Sequence, residues 1–330
     1  MRFSQHEKME IIRLVEKSEL GIKRTLLNLG INKSTFYIWY ARYWDQGYDG
    51  LAPQKPNHRH YWNRVPDFER EKVLELALNC PELSSRELAW RITDNEGWYI
   101  SESSVYRILK ARGLISPPTH DVVRAANEFK DKTSSINELW QTDFTYLKVI
   151  GWGWYYLSTI MDDYSRYIIS WELCKNMKSD DVQRCVSDAL KRTGLKITER
   201  PKLLSDNGSC YISTELVSYL ERAGIRHVRG RAQHPQTQGK IERYHRSMKN
   251  VIKLDNYYSP EELERNLSEF IDYYNNERYH ESLENLTPAD VFYSRGDRII
   301  NQRKKTKYRT LKLRRMKYLE RKLELSRQIN

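Results

Sequence analysis

Three carboxylates stand out by type and spacing: Asp143, Asp206 and Glu242. Asp143 lies within Trp140-Gln141-Thr142-Asp143-Phe144-Thr145-Tyr146, an aromatic and β-branched run that reads as a strand. Asp206 follows a short apolar strand beginning at Leu203 and opens the turn Asp206-Asn207-Gly208, which the last two residues shape. Glu242 sits in the helix predicted from Gln236 to Lys249, after the turn His234-Pro235. Three acids that meet at one edge of a sheet make an oxygen-only site suited to Mg²⁺ or Mn²⁺. Two such ions about 3.5–4 Å apart activate an attacking oxygen, stabilise a leaving one and neutralise a phosphate. The pattern predicts phosphodiester chemistry, with Asp143 bridging two ions and Asp206 and Glu242 each holding one.

Basic groups accompany the acids. Glu242, Arg246 and Lys249 share one helix face at i, i+4 and i+7, a run of about 10 Å. With Lys240 they are candidate DNA contacts; the competing reading of Arg246 is an ion pair with Glu242. Asp162 and Asp163 follow a strand at a tight turn and read as turn formers rather than ligands. His234 has no ligand partners at metal spacing and reads as a loop contact or a cap.

The elements that must position these groups follow from periodicity. Strand patterns at Leu147 to Ile150, Trp154 to Met161 and Tyr167 to Leu173 predict a meander, with turns at Gly151–Gly153 and Asp162–Ser165. Then come a helix from Ser179 to Thr193, a strand from Pro201 to Ser205, a helix from Ser213 to Ala223 and a strand from Ile225 to Arg229. The order βββαβαβα is that of an RNase H-like fold: an α/β core with a mixed five-stranded sheet and helices. Helices from Pro260 to Asn276 and from Pro288 to Tyr293 complete the core, residues 137–297.

Two all-α units precede it. In residues 1–52, Ile11, Ile12, Leu14 and Val15 mark an apolar helix face, and Gly21 and Gly30 end successive helices. Asn32 is placed to cap a basic, hydroxyl-rich third helix. This is a helix-turn-helix pattern, and Lys33, Ser34, Thr35 and Tyr37 are its candidate DNA contacts. Residues 67–116 repeat the theme: an amphipathic helix from Asp67 to Asn79, a capping box Ser84-Ser85-Arg86-Glu87, and a helix capped by Ser101 with Ser103, Ser104 and Arg107 as candidate contacts. Residues 53–66 read as a basic linker and 117–136 as a second linker.

Charge points to the same partner. The 330-residue chain carries a net charge of +12, and residues 298–330 hold 13 Lys and Arg against 2 Glu. Such a basic tail predicts contact with nucleic acid; Met316, Leu319 and Leu323 would also let it form an amphipathic helix against a partner subunit. The four cysteines, Cys80, Cys174, Cys185 and Cys210, form no Cys-x-x-Cys pair, which argues against a zinc finger or a disulfide framework. No apolar run is long enough for a membrane span, and the polar N-terminus lacks a signal-peptide apolar region, so a cytoplasmic protein is expected.

The three acidic blocks resemble those of the DDE transposases of bacterial insertion sequences, relatives of retroviral integrases. The blocks are Trp140-Gln141-Thr142-Asp143, Ser205-Asp206-Asn207-Gly208 and His234-Pro235-Gln236-Thr237-Gln238-Gly239-Lys240-Ile241-Glu242-Arg243. Thirty-five residues lie between Asp206 and Glu242, the usual spacing of that family, and Lys249 matches its basic position. The segment Tyr273-Tyr274-Asn275-Asn276-Glu277-Arg278-Tyr279-His280-Glu281-Ser282-Leu283, followed by Thr287-Pro288, resembles the end of the integrase core. No His/Cys zinc module precedes the core, unlike the retroviral pattern. The resemblance implies double-stranded DNA as partner, both element ends and target, with strand cleavage and strand transfer by a 3′-hydroxyl. It also implies at least a dimer on paired ends, in a bacterial, nucleoid-associated setting. Two other readings are a catalytically silent DNA-binding repressor and an RNase H-like nuclease.

Overall fold

The computed structural model describes residues 3–52, 61–115, 133–230 and 239–329. Most of both predicted linkers, and the turn at His234-Pro235 with Gln236 to Gln238, lie outside the described residues. The chain forms two compact units, Met1–Trp62 and Asn63–Asn330.

The first unit holds α1 (Gln5–Lys17), α2 (Ile22–Asn28) and α3 (Lys33–Gln46). Ser4 caps α1 reciprocally with Glu7, joining two donors that a helix start otherwise leaves unpaired. Ile12, Leu26, Phe36 and Leu51 form its core. Leu14, expected on the apolar face, is 54% exposed, because it lies on the side of α1 away from Ile11, Ile12 and Val15. Asn32 occupies the N-cap position of α3 but makes no side-chain cap bond.

The second unit begins with α4 (Asp67–Asn79), α5 (Ser85–Asn95) and α6 (Glu102–Ala111) around Val73, Leu88, Ile92 and Val105. The capping box at Ser84 and Glu87 and the Ser101 cap on α6 both form. The strands are β1 (Leu139–Val149), β2 (Gly153–Asp162), β3 (Ile168–Cys174), β4 (Lys202–Ser205) and β5 (Arg226–Arg229). Among the described residues they make a five-stranded mixed sheet of order β3-β2-β1-β4-β5. The first three strands are an antiparallel meander, whereas β4 and β5 run parallel to β1. β1 is longer than the apolar run from Leu147 alone predicts, since its polar first half is paired with β2 throughout.

Between and after the strands lie α7 (Ser179–Thr193), α8 (Ser209–Ile212), α9 (Thr214–Arg222), α10 (Gly239–Ile252), α11 (Pro260–Asn276), α12 (Pro288–Phe292) and α13 (Gly296–Ile329). Side chains alternate along a strand, so each face of the sheet has its own core. Trp140 packs with Val182, Leu203, Tyr211 and Leu216 of the α7–α9 side. Leu147 and Val149 pack with Ile241, Tyr244, Met248 and Leu267 of the α10–α11 side.

The expected tail is a 34-residue helix, α13, about 50 Å long, whose buried positions are Arg303, Thr306, Thr310 and Arg314. Arg303, Thr310 and Arg314 bond to α5, the loop after α5 and α4 respectively, so this part of the basic segment is part of the fold rather than a solvated extension.

Candidate active site

Asp143 shares its parity on β1 with Leu147 and Val149, which turns its carboxylate toward α10. Its Oδ2 lies 3.3 Å from His245 Nδ1 of α10, and its Oδ1 accepts from Phe144 N–H at 2.8 Å. Asp143 and Glu242 line one cavity of about 480 Å³ together with Thr145, Tyr146, His245, Arg246 and Lys249. Glu242 is exposed there, and among the described residues no cation pairs with it, so the expected competition from Arg246 does not occur.

Asp206 reaches the same end of the sheet by a different route. The parallel register pairs Trp140 with Leu203 and Gln141 with Leu204. Asp206 follows the last residue of β4, two residues beyond the last pair with β1, and it is not among the residues that line the Asp143–Glu242 cavity. Its Oδ1 accepts from Gly208 N–H at 2.8 Å, and a Cβ on Gly208 would stand 3.0 Å from that oxygen. The turn therefore needs glycine for close approach. Both acids act on one neighbour: the Cys210 thiol is pushed up to about 11, chiefly by burial and then by the Asp206 charge, with a smaller contribution from Asp143.

The donor types fit a hard divalent cation, since each acid keeps oxygen valence free. The arrangement is open, however. Among the described residues no three His, Cys, Asp or Glu side chains are grouped closely enough to hold a metal ion.

The start of α10 is pinned by a buried polar clamp that the sequence did not announce. Asp163 Oδ2 accepts from Lys240 Nζ at 2.7 Å and from Thr133 Oγ1 at 2.6 Å; its Oδ1 accepts from Gln141 Nε2 at 2.6 Å. Gln141 Oε1 in turn accepts from Ile241 N–H at 3.1 Å. One residue of β1 and one turn acid thus fix the helix that carries Glu242. Lys240, expected at DNA, instead has its ammonium on the Asp163 carboxylate and carbonyl, because it emerges beside the turn that follows β2. Asp162 accepts from Asn137 N–H, Ser165 N–H and Ser165 Oγ, the turn role expected of it.

Arg246 and Lys249 line the same cavity as Glu242. Lys249 lies 4.3 Å over the Tyr146 ring, and its pKa is lowered, chiefly by burial. His245 was missed: it shares the buried face of α10 with Ile241, Tyr244 and Met248, where periodicity reads it as core. Its position three residues after Glu242 was the only available signal. On α3, Lys33, Ser34 and Tyr37 are exposed and Thr35 is half-buried. On α6, Ser103 and Arg107 are exposed, whereas Ser104 bonds to Ser101.

The comparisons agree with this layout. An integrase core domain family matches residues 134–235, and a second integrase core domain family matches 223–288. Homeodomain-like domains match residues 5–52 and 35–109. The chain is 25% identical over 274 residues to the transposase for transposon Tn552 of Staphylococcus aureus, covering 74% of this chain and 55% of that one. It is 27% identical over 148 residues to the transposase for insertion sequence element IS904 of Lactococcus lactis, covering 44% and 56%. It spans about half the length of these curated relatives. A magnesium complex of the HTLV-2 integrase catalytic core domain aligns at 20% identity and a TM-score of 0.39, over 48% of this chain and 97% of that one. The fold is that of an integrase-like core joined to helix-turn-helix units. The chain thus carries an integrase core domain preceded by homeodomain-like domains, and it is similar to transposases of bacterial insertion sequences and transposons.

Proposed function

We infer that the chain is a DNA transposase that binds element ends and carries out strand cleavage and strand transfer through Asp143, Asp206 and Glu242. The observation that supports this most is the joint placement of Asp143 and Glu242 on one cavity, with Asp206 just past the end of β4, the strand that pairs with β1. The three acids would hold two divalent cations, Mg²⁺ or Mn²⁺, which supply activation of the attacking 3′-hydroxyl and charge neutralisation at the phosphate.

The remaining work falls to the chain's own groups. His245 orients the Asp143 carboxylate from the buried side. The Asp163–Lys240–Gln141 clamp holds the start of α10, and with it Glu242, against β1. Lys249 and Arg246 stand along the same cavity wall, where their charges would receive phosphates flanking the reacting one. Lys33, Ser34, Thr35 and Tyr37 on α3, and Ser103, Ser104 and Arg107 on α6, are the proposed contacts to element-end DNA. Paired ends imply at least two copies of the chain. No helix among the described residues is long and apolar enough to cross a membrane, and we take bacterial DNA to be the substrate.

The test is incubation of the full chain with Mg²⁺ and a labelled element end, beside Asp143→Asn. Joined products that vanish in the variant support the transposase. Cleavage without joining makes it a nuclease of this fold, and shifted but uncut DNA makes it a silent binder.

A further inference from the structure

The segment from Tyr273 to Pro288 contributes no group to the carboxylate site, yet it builds a socket. His280 and Leu286 bridge to close a small loop, and within it Glu284 and Asn285 adopt left-handed backbone at φ 55° and 58°. Two consecutive non-glycine residues in that region are strained and need outside support. The support is Arg303 of α13. Its Nη1 donates to the Glu284 carbonyl at 3.2 Å and its Nη2 to the Asn285 carbonyl at 2.9 Å.

The same guanidinium grips the second helix-turn-helix unit. Arg303 Nε and Nη2 donate to the two oxygens of Asp94, at the end of α5, at 2.8 and 2.7 Å. The guanidinium lies 4.5 Å over the Trp90 ring of α5 and 5.5 Å over the Tyr279 ring of the socket, and the Tyr279 hydroxyl donates to Asp94 at 3.0 Å. Arg303 is 6% exposed. One planar fork therefore joins three parts of the chain: the α4–α6 unit, the end of the core and α13. Lysine, with one ammonium, has no fork to satisfy two carboxylate oxygens and two carbonyls at once.

The contacts around it have the same polar character. Arg314 meets Glu69 of α4 and the Tyr99 carbonyl, Thr310 Oγ1 accepts from Tyr99 N–H, and Arg309 donates to the Gly97 carbonyl. Arg86 and Arg91 of α5 pair with Glu281 and Glu277 of the socket segment. None of this touches the outward side of α6. Among the described residues, Ser103 and Arg107 bond only to Ser101, Ser104 and each other.

We propose that Arg303 is a positioning residue that locks the second helix-turn-helix unit to the catalytic core as one rigid body. The interval on DNA between the bases contacted by α6 and the phosphodiester presented to Asp143 and Glu242 is then set by the fold. The α13 helix is the brace of that ruler, with three of its cations committed to protein rather than DNA. The DNA half of this proposal rests on the reading under "Proposed function"; the lock itself does not.

The experiment uses the full chain with Arg303→Lys, beside wild type and Asp143→Asn. Amide hydrogen exchange is followed in segments 91–99 and 281–286, with β1 and β2 as the internal control for folding. Arg303→Lys should raise exchange on the order of a hundredfold in both segments, as expected when a buried fork of hydrogen bonds to a carboxylate and two carbonyls is lost, and leave the strands protected. On a labelled element end with Mg²⁺, wild type should cut at one phosphodiester, whereas Arg303→Lys should spread its cuts over neighbouring ones without losing most of the total. Asp143→Asn should cut nowhere. Unchanged exchange in either segment overturns the lock. Raised exchange with a single unshifted cut overturns the ruler. If wild type cuts nothing, the transposase reading fails, and the exchange result still decides the lock.

Discussion

Two polar clusters of this molecule are built in opposite ways. At the α10–β1 cavity, Glu242 is exposed and unpaired among the described residues, and Asp143 has the His245 ring and a backbone N–H as partners. At the α13 seam, Arg303, Arg314 and Glu69 are buried, and each guanidinium is paired with a carboxylate, that of Asp94 or of Glu69. Uncommitted acid is what a cation or a phosphate-bearing substrate can use; matched buried charge serves only geometry. The contrast separates a place where chemistry is done from a place that holds it in register.

The largest effects should come from neutralising the open cluster. Asp143→Asn or Glu242→Gln should lower Mg²⁺-dependent strand joining by about a thousandfold, as loss of a metal-holding acid removes several kcal/mol of transition-state stabilisation. Glu242→Gln should leave thermal unfolding within about 0.5 kcal/mol of wild type, because the group is exposed. A matching loss of stability would erase the contrast.

The seam should respond in the reverse sense. Arg314→Met strands the Glu69 carboxylate, whose pKa burial already raises against the pull of Arg314. Urea unfolding of the single variant should show a loss of about 3–5 kcal/mol, whereas Arg314→Met with Glu69→Leu should recover most of it. A double variant as unstable as the single one would mean that the pair itself stabilises the seam.

Lys249→Ala should lower strand-transfer yield about tenfold with little change in Mg²⁺ dependence, a charge contact of about 1.4 kcal/mol. Equal transfer by both proteins would remove Lys249 from the cavity's work.

The smallest effect concerns acid. Burial, with Arg166, Arg278 and Arg86, pushes His280 from its ordinary 6.5 down to about 3. A depressed pKa means that the folded state prefers the neutral ring. That stability is complete above pH 6.5 and declines as pH falls from there toward about 3. Thermal melts between pH 7 and 4 should show a shallower acid decline for His280→Gln than for wild type; parallel declines would take His280 out of the socket's balance.

Much of this was legible beforehand. The succession of strands along the chain, the capping box at Ser84, the Ser101 cap and the span of α11 followed from period and cap chemistry, which are local. The pairing of Lys240 with Asp163 was not legible, for the complementary reason. The charge of Lys240 suggested DNA, but Asp163, 77 residues earlier, lies within hydrogen-bond distance only after β2 and α10 have packed. His245 was invisible because a histidine on a buried helix face looks the same whether or not an aspartate faces it.

The amino-acid order alone determined which residues carry charge, which runs form strands or helices, and that three acids fall at the ends of such elements. Tertiary structure decided which charges meet. It set Asp163 on Lys240, His245 against Asp143, and Arg303 between Asp94 and the carbonyls of Glu284 and Asn285. Those pairings depend on distances between segments as much as 209 residues apart, and no local pattern encodes such a distance.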